Sequence, residues 1–280
     1  MAPDDVAADA VVAPLWHPQR KEFVAMMTLS DFINMLRHHR RNDIPLSELS
    51  KSIDDMLRSP MGVFKHGDFE TVDAEDSVFQ LCGLMQRLGT DFVPVIDPDE
   101  GNLVAVLGYL DLVHLLHEAS RQYPQFFGAT VQQAGVGTFD SVVTAPQSML
   151  LFDAIDLMEQ RGVSGIPVID DYGHVVGLYH RSDVSFITKA ADPDSAISGL
   201  HALPIGEALR MQQSQISETS ALHGDHTLCT CSPQDSLAAL LETMRAAQVT
   251  RVICVDGSGR CLGVVSIKDI IWHFFDQPAH

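Results

Sequence analysis

Basic residues are the first thing this sequence is short of: 18 Lys and Arg face 37 Asp and Glu, leaving a formal charge of −19. A nucleic-acid surface needs clustered cations to neutralise phosphates, so this balance argues against that class. The one dense basic run, Arg37-His38-His39-Arg40-Arg41, follows a predicted helix and reads as a complement to that helix's C-terminus. No apolar run reaches the roughly 18 residues that a membrane span requires. The start, Met1-Ala2-Pro3-Asp4-Asp5, lacks the basic n-region of a signal peptide. The 5 cysteines are an odd number without framework spacing, which points to a reducing compartment. A cytoplasmic protein is expected, with the nucleus also open. Walker loop, dinucleotide fingerprint and nucleophile elbow are all missing, so no catalysis is expected.

Two weaker signals are set aside for physical reasons. His223-x-x-His226-x-x-Cys229-x-Cys231 has the composition of a metal cluster. However, Leu228-Cys229-Thr230-Cys231 reads as a strand whose alternation puts both cysteines on one face, so no metal is expected. His114 and His117, three apart on a helix, lack a partnered carboxylate and read as surface residues.

What the chain does contain is a repeated sentence. Ser164-Gly165-Ile166-Pro167-Val168-Ile169-Asp170-Asp171-Tyr172-Gly173-His174-Val175-Val176-Gly177-Leu178-Tyr179-His180-Arg181-Ser182-Asp183 reads as an apolar strand, a tight turn, a second apolar strand and a helix start. Phe92-Val93-Pro94-Val95-Ile96-Asp97 leads in the same way to Gly108-Tyr109-Leu110-Asp111. Arg251-Val252-Ile253-Cys254-Val255-Asp256 leads to Ser266-Ile267-Lys268-Asp269. Ala13-Pro14-Leu15-Trp16 leads to Thr28-Leu29-Ser30-Asp31. Self-similarity at a fixed spacing marks a repeat protein, and 280 residues fit two domains, hence two lobes of two repeats.

In chain order, the first repeat occupies 1–41 and is incomplete: about a dozen residues precede Pro14, so it borrows a helix from elsewhere or is truncated. Phe32, Ile33, Met35 and Leu36 follow on a helix. A polar linker with a short helix runs from Asn42 to about Phe69. The second repeat spans 60–120, with a strand near Glu70–Val72 and helices at Val78–Leu88 and Asp111–His117. Arg121–Gly137 connects to the second lobe. The third repeat spans 138–190, with strand Ser141–Thr144 and a helix over Leu150–Gln160, whose Leu151, Ile155 and Met158 follow a helical period. The connector 191–226 holds one helical candidate, Pro204–Leu209, with proline at its first position, and a loop over Met211–His226. The fourth repeat spans 227–280.

A strand-helix-strand-strand-helix unit ending in polar-x-x-Asp resembles the cystathionine-beta-synthase (CBS) domain. Four in tandem, with Ala13–Trp16, Leu29–Leu36, Tyr123-Pro124, Gly137-Thr138-Phe139 and Pro204–Leu209 in order, resemble the gamma regulatory subunits of AMP-activated and sucrose-non-fermenting protein kinases from about Val11 onward. The resemblance implies an α/β fold of four CBS motifs, paired into two lobes that form a disc. It implies a non-catalytic subunit in which AMP, ADP and ATP compete for inter-repeat pockets, partnered by a kinase catalytic (alpha) subunit and a scaffolding beta subunit. The alternatives are a degenerate scaffold that assembles the kinase without sensing, or a stand-alone module for S-adenosyl-type ligands.

The chemistry expected at each junction is specific. A carboxylate where a strand becomes a helix can accept both vicinal hydroxyls of a ribose, and the N–H groups of the helix start favour an anion. Each aspartate also reads as a simple helix cap; the two roles can coexist. The candidate nucleotide-binding residues are Thr28 and Asp31, Asp111, His180, Arg181 and Asp183, and Arg251, Ser266, Lys268 and Asp269. Two departures from the gamma pattern stand out. Asp111 stands where that family commonly has Arg. Of the His and Arg expected before the proline strands and in the first repeat, Arg251 alone is present, while Asp91 would repel a phosphate. At least one pocket is expected to be dead.

Overall fold

The computed structural model describes residues 12–28, 31, 33–34, 37, 69–181, 183, 199–211 and 228–275. The linker helix after Asn42, the loop after Met211, the pair His223 and His226, and His38 to Arg41 lie outside those residues.

Four antiparallel hairpins carry the repeat: β1 Val12–His17 with β2 Glu22–Thr28, β4 Phe92–Ile96 with β5 Leu103–Gly108, β7 Gly165–Ile169 with β8 Val175–His180, and β10 Arg251–Val255 with β11 Cys261–Ser266. Each slips register by one residue near the turn, at Leu15/Trp16, Val95/Ile96, Val168/Ile169 and Cys254/Val255. The reason is written in the Asp-x-x-x turns of the last three. Asp97 Oδ1 accepts the Asp99 and Glu100 N–H groups at 2.8 and 3.2 Å. Asp170 Oδ1 accepts those of Tyr172 and His174 at 2.9 and 2.8 Å, and Asp256 Oδ1 those of Ser258 and Arg260 at 2.8 and 2.9 Å. An aspartate bonding forward to its own backbone builds the turn and fixes where pairing stops.

A two-residue strand runs parallel to each of the last three hairpins: β3 Val72–Asp73, β6 Ala145–Pro146 and β9 Thr230–Cys231. These strands are shorter than the sequence suggests, and in the third repeat the strand falls after Ser141–Thr144 rather than on it. A parallel edge needs only two registered pairs before its chain leaves for the crossover helix. Those crossover helices are α1 Val78–Leu88, α4 Leu151–Arg161 and α6 Leu237–Ala246. α1 starts with a capping box, Ser77 and Gln80 bonding each other's backbone. α1 and α4 end at left-handed glycines, Gly89 (φ 63°) and Gly162 (φ 66°).

Further helices among the described residues are α2 Tyr109–Gln122, the short α3 Val131–Ala134, α5 over 205–211 and α7 Ile267–Phe275, and residues 31, 33, 34 and 37 are helical as well. α2 runs past its predicted His117 end, because its apolar face continues to pack. That packing corrects one expectation: His117 is 3% exposed, held against Glu242 of α6, while His114 stays exposed.

Two apolar cores hold the molecule together, and each joins repeats that are not consecutive. One merges the second and fourth repeats through Leu112, Val113, Leu240, Met244, Ile270 and their neighbours, with Phe127 and Val131 of the connector. The other sets Ile33 of the first repeat against Leu151, Ile155, Met158 and Tyr179 of the third, with Ile205 and Leu209 of α5. The predicted Pro204–Leu209 helix therefore packs on the third repeat. Arg37, from the basic run, pairs with Asp156 of α4 at 2.7 Å. The third and fourth hairpins meet edge to edge, Val175 N–H bonding Gly259 O at 3.0 Å. Phe23 stacks on Phe69 between the first and second repeats, centroids 5.6 Å apart. The contacts thus run 1–2–4–3–1, a closed ring of four repeats in an α/β fold, the disc that the resemblance implies.

Candidate functional site

The antiparallel register places the first residues of each proline strand opposite the last residues of the next strand. Phe92 faces Gly108, Gly165 faces His180 and Arg251 faces Ser266. Both ends therefore lie beside the following helix start, and the four junctions are built alike. The Thr28 N–H and hydroxyl donate to Asp31 Oδ2 at 2.8 and 2.7 Å. The Gly108 N–H donates to Asp111 Oδ2 at 2.8 Å, and the His180 N–H to Asp183 Oδ2 at 2.7 Å. The Ser266 N–H and hydroxyl donate to Asp269 Oδ2 at 2.7 and 2.8 Å.

This geometry refines the capping expectation. The aspartate is not the N-cap: Gly108 is the N-cap of α2 and Asp111 sits three residues on. The carboxylate bonds back to the cap's N–H, and in repeats one and four a Thr or Ser hydroxyl bonds forward (Thr28 to the Asp31 N–H, 3.3 Å; Ser266 to that of Asp269, 3.4 Å). The motif is a capping box with aspartate in the place of Glu. It engages one oxygen of each carboxylate.

Between the second, third and fourth repeats, side chains converge on a polar centre. Arg251 donates to His180 Nε2 at 2.7 Å, to Ser164 Oγ at 2.6 Å and to Thr250 Oγ1 at 3.3 Å. A guanidinium only donates, so Nε2 accepts and His180 is the neutral Nδ1–H tautomer. The electrostatics agree: burial, then the charge of Arg251, hold His180 down at about 3, with Asp91 opposing and Arg181 and Lys268 assisting. Burial also draws Arg251 below its usual range, against the pull of Asp91, Asp269 and Tyr109. Lys268 donates to Asp91 Oδ1 at 2.8 Å and lies 4.6 Å from the centroid of the Tyr109 ring. Burial pushes the Asp91 carboxyl up, yet Lys268, by charge and hydrogen bond, and then Arg251 and His180, hold it below the ordinary carboxylate value.

The structure brings His180, Arg251, Lys268 and Asp269 of the sequence candidates to one centre. Thr28 and Asp31 form their own junction, where Asp31 is 6% exposed. Asp111 and Asp183 belong to two further junctions. Arg181 turns toward Glu159 of α4, whose carboxylate also lies 3.6 Å from Arg37. Ser164 and Tyr109 were not among the candidates. Ser164 had a legible signal: it stands three residues before Pro167, as Asp91 does before Pro94 and Thr250 before Ile253. Tyr109 had none, because its approach to Lys268 is made across two repeats. Among the described residues no group of three metal-ligating side chains gathers, and no helix is long and apolar enough to cross a membrane.

Comparison with known proteins agrees with this architecture. The CBS domain pattern matches residues 62–118, 137–187 and 225–276. The chain is 29% identical over 279 residues to the human 5'-AMP-activated protein kinase subunit gamma-3, covering 98% of this chain and 54% of that protein. It is 26% identical to the Saccharomyces cerevisiae 5'-AMP-activated protein kinase subunit gamma, covering 93% of this chain and 78% of that one. The chain thus spans about half the length of the gamma-3 relatives it matches. In three dimensions it resembles a Methanocaldococcus jannaschii protein proposed as an archaeal homologue of the same gamma subunit (TM-score 0.66, 16% identity, 95% of this chain and 88% of that one). A conserved Pyrococcus horikoshii protein shares the fold at TM-score 0.56 and 13% identity, covering 95% and 92% of the two chains. The matched segments cover more than half of the sequence, and the repeated hairpin, helix and aspartate junction recur in each: the chain belongs to the CBS-domain family and is homologous to gamma subunits of AMP-activated protein kinase.

Proposed function

We propose that this chain is a non-catalytic, adenine-nucleotide-sensing regulatory subunit of an AMP-activated-type Ser/Thr kinase complex. AMP, ADP and ATP compete for pockets between its repeats, and it partners a catalytic alpha and a scaffolding beta subunit. The observation that carries this reading is the centre where Arg251, His180 and Lys268 gather beside the Asp269 junction. Asp269 supplies a carboxylate for ribose hydroxyls. Arg251 and Lys268 supply positive charge, and helix starts supply N–H groups. Occupancy regulates the kinase only through different affinities for its two states.

The test is calorimetric titration with AMP and Mg-ATP of the purified chain and of its Asp269→Ala and Arg251→Ala variants. Micromolar binding weakened at least tenfold by both substitutions is expected. No heat and no thermal shift with either nucleotide would remove the sensing role. The scaffold reading would then stand, and it has one observation in its favour: Asp91 already neutralises Lys268. Co-purification with a kinase catalytic subunit separates both from a free-standing ligand-binding module.

A further inference from the structure

The polar centre contains its own anion. Asp91 comes from the second repeat and Lys268 from the fourth, 177 positions apart in sequence, and they meet at 2.8 Å. Both keep about a third of their side-chain surface, 37% and 35%, so the pair is open to solvent. The other central cation is engaged differently. The hydrogen bonds of Arg251 go to neutral acceptors, His180, Ser164 and Thr250, and Asp91 and Asp269 supply the negative charge around it. The positive charges of Lys268 and Arg251 are thus balanced by two carboxylates before any ligand arrives. At the corresponding positions of the third and fourth repeats stand Ser164 and Thr250, hydroxyl residues that add no charge.

We infer that Asp91 determines the ligand specificity of this centre: its carboxylate holds the place of a ligand phosphate against Lys268 and turns the pocket toward adenine ligands of low anionic charge. A phosphate approaching Lys268 must displace Asp91 or stand beside it, and like charges a few ångströms apart in a partly buried site repel strongly. An uncharged nucleoside brings no phosphate to Lys268 and meets no such barrier. This rests on the centre being the nucleotide pocket proposed above, but its test does not need the adenine.

The experiment titrates wild-type chain, Asp91→Asn and Asp91→Ser with inorganic pyrophosphate and, separately, with adenosine. Asparagine keeps the shape without the charge, and serine reproduces the third repeat should asparagine fold poorly. Pyrophosphate affinity should rise at least tenfold in both variants, and the rise should vanish when Lys268→Gln is added. Adenosine affinity should stay within about twofold of wild type, the change expected when no contact is lost. Equal or weaker pyrophosphate binding in the variants, or none at all, overturns the inference. Failure of adenosine to bind any of the proteins counts against the nucleotide pocket instead, and leaves the pyrophosphate comparison readable.

Discussion

Replacing Asp269 by alanine removes the acceptor that starts the last helix. One of its oxygens takes the Ser266 N–H at 2.7 Å and the Ser266 hydroxyl at 2.8 Å. Ser266 is half-buried, so water partly replaces the lost acceptor, and the cost is that of a helix cap rather than of an orphaned core donor. Cap substitutions cost about 1 kcal/mol, with ~2 kcal/mol as the upper end. Losing a negative charge from the first helical turn adds ~0.3–1 kcal/mol. Alanine should therefore cost roughly 1.3–3 kcal/mol. Asparagine, which keeps an oxygen, should cost about 0.5–1 kcal/mol. At roughly 2–4 °C per kcal/mol for a chain of this size, Asp269→Ala should melt ~3–12 °C below wild type. Urea melts of the three proteins measure this directly. A loss under ~0.3 kcal/mol would mean the junction does not hold the helix start; a loss above ~4 kcal/mol would put the carboxylate in the core. Either result refutes the reasoning. The same proteins, titrated with AMP, should show a ten- to hundredfold loss of affinity for alanine, on the order of one charge-assisted hydrogen bond. That would be an effect on binding of about the same size as the effect on folding.

Three further outcomes are expected. Leu240→Ala, in the core shared by the second and fourth repeats, should cost ~2–5 kcal/mol, and hydrogen exchange should show α2 and α6 losing protection together; loss confined to the fourth repeat would break the shared-core account. His180 is held at about 3 against an ordinary 6.5, so below pH 6.5 the unfolded chain binds a proton that the folded chain refuses. Stability should fall as pH drops from about 6.5 toward 3, by up to ~1.4 kcal/mol per unit, with Asp91, also depressed, adding its own loss lower in that window. His180→Gln should flatten the slope between pH 6.5 and 5 in urea melts, and an unchanged slope would contradict a neutral His180. Finally, Gln248 (φ 54°) occupies the left-handed position that Gly89 and Gly162 hold in their repeats. Gln248→Gly should raise stability by ~0.5–1 kcal/mol, relief of strain exceeding glycine's entropic cost; a lower melting temperature would instead give more weight to the Gln248 side-chain bond to Arg245 O, 2.7 Å.

The repeated units were readable because their causes are local. Asp97, Asp170 and Asp256 build turns from their own next residues, alternation sets which strand residues face inward, and Asp111 and Asp269 bond backbone three residues away. Periodicity and spacing report such short-range physics, so the hairpins, the crossover helices and the aspartate junctions were visible in one dimension. Asp91 could be seen as an acid in the wrong place for phosphate.

The amino-acid order by itself thus determined the repeat and the chemistry each copy offers. It did not determine which copies meet. Burial of His117 against Glu242, the pairing of Arg37 with Asp156, the contact of Asp91 with Lys268 and the docking of α5 on the third repeat all join residues of different repeats. All four copies carry similar apolar faces, so hydrophobic pattern alone makes several pairings equivalent. The choice falls to side-chain fit and charge across surfaces formed only when the ring closes, and tertiary structure alone placed Arg251, His180 and Lys268 around one centre.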